Sequence, residues 1–364
     1  MTQWLKVAAG WIGGMALLIG MPLLGIRLTG APLAPYLEMP PRTNFVTHAP
    51  FSWVAFAALA LGIACVVGPV ITRLLRTPHR SLRPAGRFPW WGWLALLFGL
   101  AAWTLAWTRF PWFSAFQPFT FTPLWLSYII VMNALAYRRT GRSPLTHAPG
   151  AFLSLFPISA VFWWFFEYLN RFVQNWHYLG IGELTAAEYV MRAMLPFATV
   201  LPAFVATRAW LASYPGLWAG LANWRPVPLA RPRILAWSAL SVAAAGLAGI
   251  GIWHEILFPL LWISPLIVIA SLRALAGIPT LLNDPARGDW RRVVVAALAA
   301  LTCGFFWEMW NIFSLEKWIY TVPFVDAFHL FEMPVLGFAG YLPFGLECAL
   351  MAELVGLTGK EDVP

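Results

Sequence analysis

The chain alternates long apolar runs with short polar connections. Each run holds about 20 mostly apolar residues, which is the length that a helix needs to cross a hydrocarbon core roughly 30 Å thick. The pattern predicts ten such helices, near residues 7–26, 51–72, 89–108, 121–137, 150–170, 189–207, 234–252, 257–275, 293–313 and 333–356. The first run is longer than the apolar part of a secretory signal peptide, so we interpret it as a retained helix.

Composition supports the same interpretation. Of the 364 residues, 60% are hydrophobic and 11% are charged, and the mean hydropathy is +0.70. Soluble domains contain about 45–50% apolar and about 25% charged residues. The sequence therefore predicts an all-α fold class, a polytopic transmembrane bundle of about ten helices.

Basic residues concentrate in every second connection. The net charge of +9 comes largely from arginines that follow predicted helices 2, 4, 6 and 8, namely Arg73, Arg76, Arg80, Arg83, Arg87, Arg138, Arg139, Arg142, Arg208, Arg225, Arg231, Arg233, Arg273, Arg287, Arg291 and Arg292. The positive-inside rule predicts that these connections and both termini are cytoplasmic. Because the arginines lie in short clusters that act as orientation signals, they do not indicate nucleic-acid binding.

Cysteine and histidine positions bear on cofactors. Cys65, Cys303 and Cys348 lie in apolar runs without C-x-x-C spacing, which disfavours a zinc site or an iron–sulfur cluster. None of the six histidines lies in the middle of a predicted helix, where the axial ligands of a membrane haem would be expected. The sequence thus identifies no cofactor, disfavours haem and iron–sulfur clusters, and predicts no metal site.

Two segments of the chain are similar to each other. "FFEYLNRFVQNWHY" (Phe165–Tyr178) matches "FWEMWNIFSLEKWIY" (Phe306–Tyr320) in F-x-E-x-x-N-x-F and then, after one inserted residue, in W-x-Y. The same offset aligns Leu195–Pro202 with Leu336–Pro343. The sequence predicts two tandem, parallel four-helix repeats, residues 87–215 and 228–358, after an N-terminal two-helix unit, residues 1–86. Because each repeat has an even number of helices, both would cross the membrane in the same sense.

Glu167 and Glu308 occupy equivalent positions near the ends of predicted helices 5 and 9. Each is followed three residues later by an asparagine, Asn170 or Asn311, on the same helix face. A buried carboxylate is costly inside a membrane, so the pair are candidate catalytic residues for proton transfer, oriented by the asparagines. The alternative is structural, with each glutamate holding an irregular loop of its own repeat.

Further ligand-binding candidates surround these glutamates. Four tryptophans flank them, Trp163, Trp164, Trp307 and Trp310, and suit either an interfacial belt or a pocket for a flat apolar ligand. Glu347 is another intramembrane carboxylate, without a counterpart in the first repeat. It would either contact a ligand or form a buried ion pair with an arginine at the inner helix ends, such as Arg73 or Arg208.

The C-terminal stretch carries a resemblance. Residues Lys317–Met351, with the patterns W-x-Y-x-x-P, F-E-M-P and L-P-F-x-L-E, resemble a stretch of uncharacterised bacterial polytopic inner-membrane proteins. This resemblance implies a protein of the bacterial inner membrane and carries no established activity. The duplicated architecture is also similar to that of the membrane carotenoid cyclases, which act on isoprenoids with carboxylates, but their paired P-x-E-E motif is absent here.

Three functional hypotheses follow from the sequence. The first is a membrane protein that binds an isoprenoid, pigment or lipid at an outward-facing, pseudo-symmetric site, with catalysis left open. The second is an accessory subunit of a membrane complex, whose partners would be other membrane proteins as well as lipids. The third is a proton-coupled transporter. Few polar residues and no evident pair of broken helices in the predicted spans disfavour the third hypothesis.

Overall fold

A computed structural model describes residues 3–77 and 86–359, with side chains from residue 13 onward within those ranges. Eight helices in the described ranges are long and apolar enough to cross a membrane, and two further apolar helices are shorter. The chain is therefore a helical bundle with the character of a multi-pass membrane protein, as predicted. Arg80 and Arg83, two residues of the first predicted basic connection, lie outside the described residues.

The main helices agree closely with the apolar runs. They are α1 (Gln3–Leu28), α2 (Trp53–Arg76), α3 (Trp90–Trp107), α4 (Phe121–Thr140), α5 (Pro149–Val173), α6 (Ala186–Phe197), α7 (Val200–Ala212), α8 (Pro232–Ile250), α9 (Leu260–Leu275), α10 (Arg291–Asn311) and α11 (Tyr341–Ala352). Short helical turns at Ala34–Leu37, Pro144–His147, Pro215–Trp218 and His254–Leu257 lie between them. Pro111–Phe113, Gln117–Phe119, Ala219–Leu221, Leu281–Arg287, Val335–Gly340 and Glu353–Val355 form 3-10 helices.

Within the described ranges, four short strands that the sequence analysis did not predict form two small sheets. Strand β1 (Trp176–Leu179) pairs antiparallel with β2 (Lys317–Tyr320). Strand β3 (His329–Leu330) pairs antiparallel with β4 (Met333–Pro334). The first sheet joins segments that are far apart in the chain, directly after α5 and shortly after α10.

The sixth predicted helix is interrupted. The structure divides it into α6 and α7, with Ala198 and Thr199 between them. At the interruption the Ser159 hydroxyl of α5 donates to the Phe197 carbonyl at 2.6 Å and accepts from the Leu201 amide at 3.0 Å. A neighbouring side chain therefore satisfies backbone groups that the break releases, as irregular backbone inside a membrane requires.

The tenth predicted helix is also interrupted. Its apolar run starts as strand β4, continues as the 3-10 helix Val335–Gly340, and becomes α-helical only at Tyr341. Pro343 is the third residue of α11, where its missing N–H removes no helical hydrogen bond. The sequence showed no evident pair of broken helices, whereas the structure interrupts these two apolar segments. The apolar pattern did not reveal either break because both segments stay apolar throughout.

The arginine-rich connections gather at one end of the bundle, which we call the basic face. The Arg73 guanidinium of α2 donates to the Gly220 carbonyl at 2.7 Å, and the Trp290 amide donates to the Leu221 carbonyl at 2.9 Å. Near the end of the described chain, the Thr358 carbonyl accepts a bond from Arg292. The predicted even connections therefore lie together.

A buried ion network occupies the basic face. Arg292 is 2.7 Å from Asp284 and 2.8 Å from Glu353, and Arg273 is 3.0 Å from Glu353. These side chains are nearly inaccessible, so each charge depends on its partners rather than on water. The network ties the 3-10 helix Leu281–Arg287 to α9, α10 and the segment after α11.

The other connections meet at the opposite end. The Thr321 amide donates to the Asn175 carbonyl at 2.9 Å, and Arg109 donates to the Phe313 carbonyl at 2.8 Å. His48 Nδ1 lies 2.6 Å from the carboxylate of Glu255. Strands β1 and β2 belong to this end, so both glutamates of the predicted site lie in helices that finish here.

Helices α1 and α2 relate differently to the bundle. Helix α1 packs on α8 and α9, and Gly25 and Gly251 allow its backbone to approach that of α8 closely, because neither position has a side chain in the way. Helix α2 has no buried residue along its length. It lies beside the bundle and is held at its ends.

Candidate functional site

Glu167 is bound by three aromatic donors. Its Oε1 atom accepts hydrogen bonds from Trp163 Nε1 at 3.1 Å, Trp176 Nε1 at 3.2 Å and the Tyr178 hydroxyl at 2.6 Å. Trp163 lies one turn earlier on α5, and the other two donors lie on β1. The glutamate therefore joins the end of its helix to the strand that follows.

Glu308 has an equivalent arrangement. Its Oε1 atom accepts from the Tyr320 hydroxyl of β2 at 2.8 Å and from the Tyr341 hydroxyl of α11 at 2.7 Å. Trp318 Nε1 donates in turn to the Tyr320 hydroxyl at 2.9 Å. Both glutamates are fully buried, and the Oε2 atom of each has no donor among the described protein groups.

The side-chain amides of the two asparagines form hydrogen bonds with backbone groups. The Asn170 side chain donates to the Trp176 carbonyl at 2.8 Å and accepts from the Asn175 amide at 2.8 Å. The Asn311 side chain donates to the Trp318 carbonyl at 2.7 Å and accepts from the Trp318 amide at 2.9 Å. Each asparagine therefore fixes the start of its strand, and neither has a hydrogen bond to the neighbouring glutamate among those described.

The two W-x-Y segments pair with each other. In the β1–β2 sheet Trp176 is opposite Tyr320, and Tyr178 is opposite Trp318. The tryptophan of each segment therefore lies opposite the tyrosine of the other, as expected if a local twofold axis relates the two segments. Two donors of Glu167, Trp176 and Tyr178, and one donor of Glu308, Tyr320, are therefore held on one shared sheet.

A cavity of about 570 Å³ lies next to this sheet. Its lining is mainly aromatic and apolar and includes Trp163, Trp176, Tyr178, Trp262, Trp307, Trp318, Tyr320 and Tyr341. A volume of about 300–1,000 Å³ is typical of small-molecule sites. Of the predicted tryptophans, Trp163 and Trp307 line this cavity, and their ring centroids are 6.4 Å apart.

The other two predicted tryptophans pack elsewhere. Trp164 contacts Phe197, with ring centroids 5.0 Å apart. Trp310 contacts Trp125, with ring centroids 5.3 Å apart, and Trp103 at 6.0 Å. Neither is among the residues that line the cavity. These two side chains pack between helices.

The polar part of the lining includes an ion pair. Arg192 of α6 and Glu316, just before β2, are 2.5 Å apart, and both line the cavity. Burial raises the pKa of the Glu316 carboxyl, although Arg192 partly offsets this effect. Burial raises the pKa of the Tyr178 and Tyr320 hydroxyls as well, with a further contribution from the nearby glutamate in each case. Both tyrosines therefore stay protonated donors at neutral pH.

Helix α2 forms one wall of the cavity. Leu59, Gly62, Ile63, Val66 and Val67 line it from that side. At the end away from the basic face, α2 is attached through an aromatic cluster around Phe328. At the other end Arg73 binds the Gly220 carbonyl. Between these two attachments α2 faces the cavity, and it also approaches the 3-10 helix Val335–Gly340.

Glu347 lies away from the cavity beside the β1–β2 sheet. It is fully buried in α11 and lines a second cavity, of about 410 Å³, that shares no lining residue with the first. Neither of its carboxylate oxygens has a hydrogen-bond donor among the described residues. Arg73, one of the arginines expected as a partner, binds the Gly220 carbonyl instead.

Sequence reasoning assigned no role to the tyrosines that bind the glutamates. Tyr178, Tyr320 and Tyr341 donate to them. The first two were visible as the repeated W-x-Y that follows each glutamate. Tyr341 carried no such signal, because its contact with Glu308 spans 33 residues.

Comparison with known proteins adds no relative. No protein-family model, no curated protein and no solved structure matches this chain.

Proposed function

We propose that this protein binds an apolar ligand of the isoprenoid, pigment or lipid class in the cavity between α2 and the bundle. The observation that carries this proposal is the lining itself. Aromatic side chains from both halves of the chain surround a cavity of about 570 Å³, and a helix attached at its ends forms the remaining wall. Aromatic faces offer large contact areas to extended apolar molecules.

The glutamates support this role by orienting tyrosines. The Tyr178 hydroxyl donates a hydrogen bond to Glu167, and the Tyr341 hydroxyl donates one to Glu308. Each hydroxyl can therefore only accept a hydrogen bond from a ligand. Both tyrosines line the cavity. A ligand whose polar end donates a hydrogen bond, such as a hydroxyl, fits this arrangement best.

A duplicated unit accounts for the symmetry of the site. Helices α7 and α11 begin at Val200 and Tyr341, which are equivalent under the offset that relates Glu167 to Glu308. Both start directly after an interruption. We propose that residues 87–215 and 228–358 are two parallel repeats, with the ligand cavity beside the sheet that joins them.

The arrangement of charges supports a membrane orientation. The arginine-rich connections gather on one face, and the last described residues lie there too. By the positive-inside rule we propose that this face is cytoplasmic in a bacterial inner membrane, with both termini on that side. The ligand cavity beside β1 and β2 then faces outward.

Ligand content tests this proposal. The protein is extracted in mild detergent, and bound lipids and pigments are measured by absorbance and by mass spectrometry of an organic extract. The Gly62→Trp variant is expected to lower ligand content at least about tenfold. Gly62 lines the cavity, and a Cβ atom added there meets no atom within 4 Å, so the indole has room to extend into the cavity. The matched control is Leu61→Trp, at an exposed position that does not line the cavity.

The proposal fails if the wild type carries no such ligand, or if both tryptophan variants carry the same amount as the wild type. A double variant, Glu167→Gln with Glu308→Gln, tests the polar end. It is expected to lower ligand content because each new amide competes as a donor for the tyrosine hydroxyl. Stoichiometric recovery of another membrane protein with an unloaded cavity would instead favour an accessory subunit.

Proton-coupled transport is a second candidate, supported by the two interrupted helices. Breaks at Ala198–Thr199 and before Tyr341 are typical of transporters, in which broken helices surround the substrate. Proton flux into liposomes that depends on an added substrate would favour this candidate. Unchanged flux across a broad panel of lipids and small solutes would contradict it.

A further inference from the structure

The second cavity lies between four helices. Residues of α1, α5, α9 and α11 line it, among them Leu18, Phe162, Ile269 and Leu272. Its volume of about 410 Å³ is within the range of small-molecule sites. Because it shares no lining residue with the first cavity, its contents are independent of the function proposed above.

The lining of this cavity includes a buried carboxylate. Glu347 is fully buried, and both of its carboxylate oxygens lack a donor among the described residues. Buried polar atoms are almost always hydrogen-bonded, since leaving one without a partner costs about 1–3 kcal/mol or more. A buried acceptor at the edge of an otherwise apolar cavity is the arrangement expected of a site for an amphiphile.

The other charged lining residue does not neutralise Glu347. The Arg273 guanidinium is 3.0 Å from Glu353 and donates to the Leu350 carbonyl at 3.3 Å. Its Nε atom, by contrast, is buried without an acceptor. The lining residues therefore include a carboxyl without a donor and an N–H group without an acceptor among the described groups.

The cavity is accessible from the lipid side of the bundle. Val161 of α5 is 67% exposed and Met15 of α1 is 43% exposed, and both line it. Both lie on helices of the membrane-crossing bundle, so their exposed sides face acyl chains rather than water. A long-chain molecule can therefore reach the cavity from within the bilayer.

We propose that this cavity binds a long-chain amphiphile whose head group donates a hydrogen bond to Glu347, a lipid alcohol or a lipid amine. The chain lies against the apolar side chains of α1, α5 and α9. A hydroxyl head would donate to Glu347, and an ammonium head would form an ion pair with the carboxylate. Either head group supplies the hydrogen-bond donor that Glu347 lacks.

Binding of matched probes tests this site. Delipidated protein is titrated with hexadecan-1-ol, hexadecylamine and hexadecane, and binding is measured by native mass spectrometry. At least one of the polar probes is expected to bind at least about tenfold more tightly than hexadecane. In Glu347→Leu this preference is expected to disappear. The tighter of the two polar probes identifies the head group.

Two further variants keep the test decisive. Val161→Trp, at an exposed position, is expected to fill the opening and to weaken binding of all three probes, so it tests the cavity even if Glu347→Leu does not fold. Gly62→Trp alters only the first cavity and is expected to leave the preference unchanged, which separates this site from the proposed function. The proposal is overturned if Glu347→Leu keeps the preference, or if wild type and Val161→Trp bind the probes equally.

Discussion

Trp176 and Tyr320 lie opposite each other in a two-stranded antiparallel sheet, although 144 residues separate them in the chain. Trp176 also donates to Glu167, and Tyr320 donates to Glu308. The sheet therefore connects the two glutamates through their own donors. Changes in either strand are expected to affect both halves of the site.

The asparagine side chains are expected to be important for stability. Asn170→Ala leaves the Trp176 carbonyl and the Asn175 amide without their partners in a buried setting. Loss of such bonds typically costs about 1–3 kcal/mol. Asn311→Ala is expected to have a similar effect. Thermal unfolding in detergent measures both variants.

Asn44→Ala is the control for this prediction, because the Asn44 side chain is exposed and its backbone amide makes the described contact. Equal unfolding temperatures for Asn44→Ala and Asn170→Ala would contradict a role for the Asn170 side chain in holding β1.

Attachment of α2 is expected to control ligand exchange. Phe328→Ala removes a ring that contacts Phe51, Trp53 and Phe56 at the end of α2 away from the basic face. With this end loosened, bound ligand is expected to dissociate several-fold faster while the bundle stays folded. A fluorescent label on Cys65, which is exposed on α2 while Cys303 and Cys348 are buried, reports the motion.

Phe110→Ala serves as the control, because this exposed ring contacts Trp112 rather than α2. If Phe328→Ala released ligand at the rate of the wild type, α2 would not be the movable wall of the cavity.

The ion network of the basic face is expected to be sensitive to truncation. Arg292→Ala removes the guanidinium that joins the buried carboxylates of Asp284 and Glu353. Asp284 keeps only the exposed Arg287 as a cationic partner, and Glu353 keeps only Arg273. Removing one member of a buried pair typically destabilises a protein by about 3–5 kcal/mol. Chemical or thermal unfolding measures this loss.

Arg287 offers a matched control within the same network. Its side chain is 78% exposed and pairs with Asp284 at 3.0 Å. Arg287→Ala is expected to cost less than about 1 kcal/mol, as for other exposed pairs. If the two variants were equally destabilised, burial would not account for the strength of the network.

Glu255 is expected to make stability depend on pH. Burial raises the pKa of its carboxyl, but the Ala49 amide and His48 outweigh burial, and the pKa lies below its ordinary value of 4.5. A carboxyl with a lowered pKa contributes stability above its unfolded pKa, and that stability is lost as the pH falls through the folded pKa. Unfolding temperatures from pH 7 to pH 3 are expected to fall more steeply for the wild type than for Glu255→Gln.

Glu183→Gln, at an exposed position on the same end of the bundle, controls for general effects of charge. If Glu255→Gln and the wild type lost stability in parallel as the pH fell, the contacts of Glu255 with His48 and Ala49 would have no energetic role.

Local physical requirements explain what the sequence determined by itself. A membrane helix needs about 20 apolar residues whatever it packs against, so the apolar runs located the helices of the bundle. Arginine placement sorted the connections correctly between two faces for the same reason, because each connection meets one side of the membrane independently. The carboxylates near the ends of α5 and α10 were also visible, since a charge in an apolar run is rare.

Tertiary structure decided everything that depends on pairing between distant segments. Apolar runs do not show where a helix breaks, and so α6 and α7 looked like one helix. Tyr341 reaches Glu308, and β1 reaches β2, only because non-adjacent segments pack together. The separation of Glu347 from the first cavity has the same origin. A sequence records which residues are polar, but packing determines which cavity each of them lines.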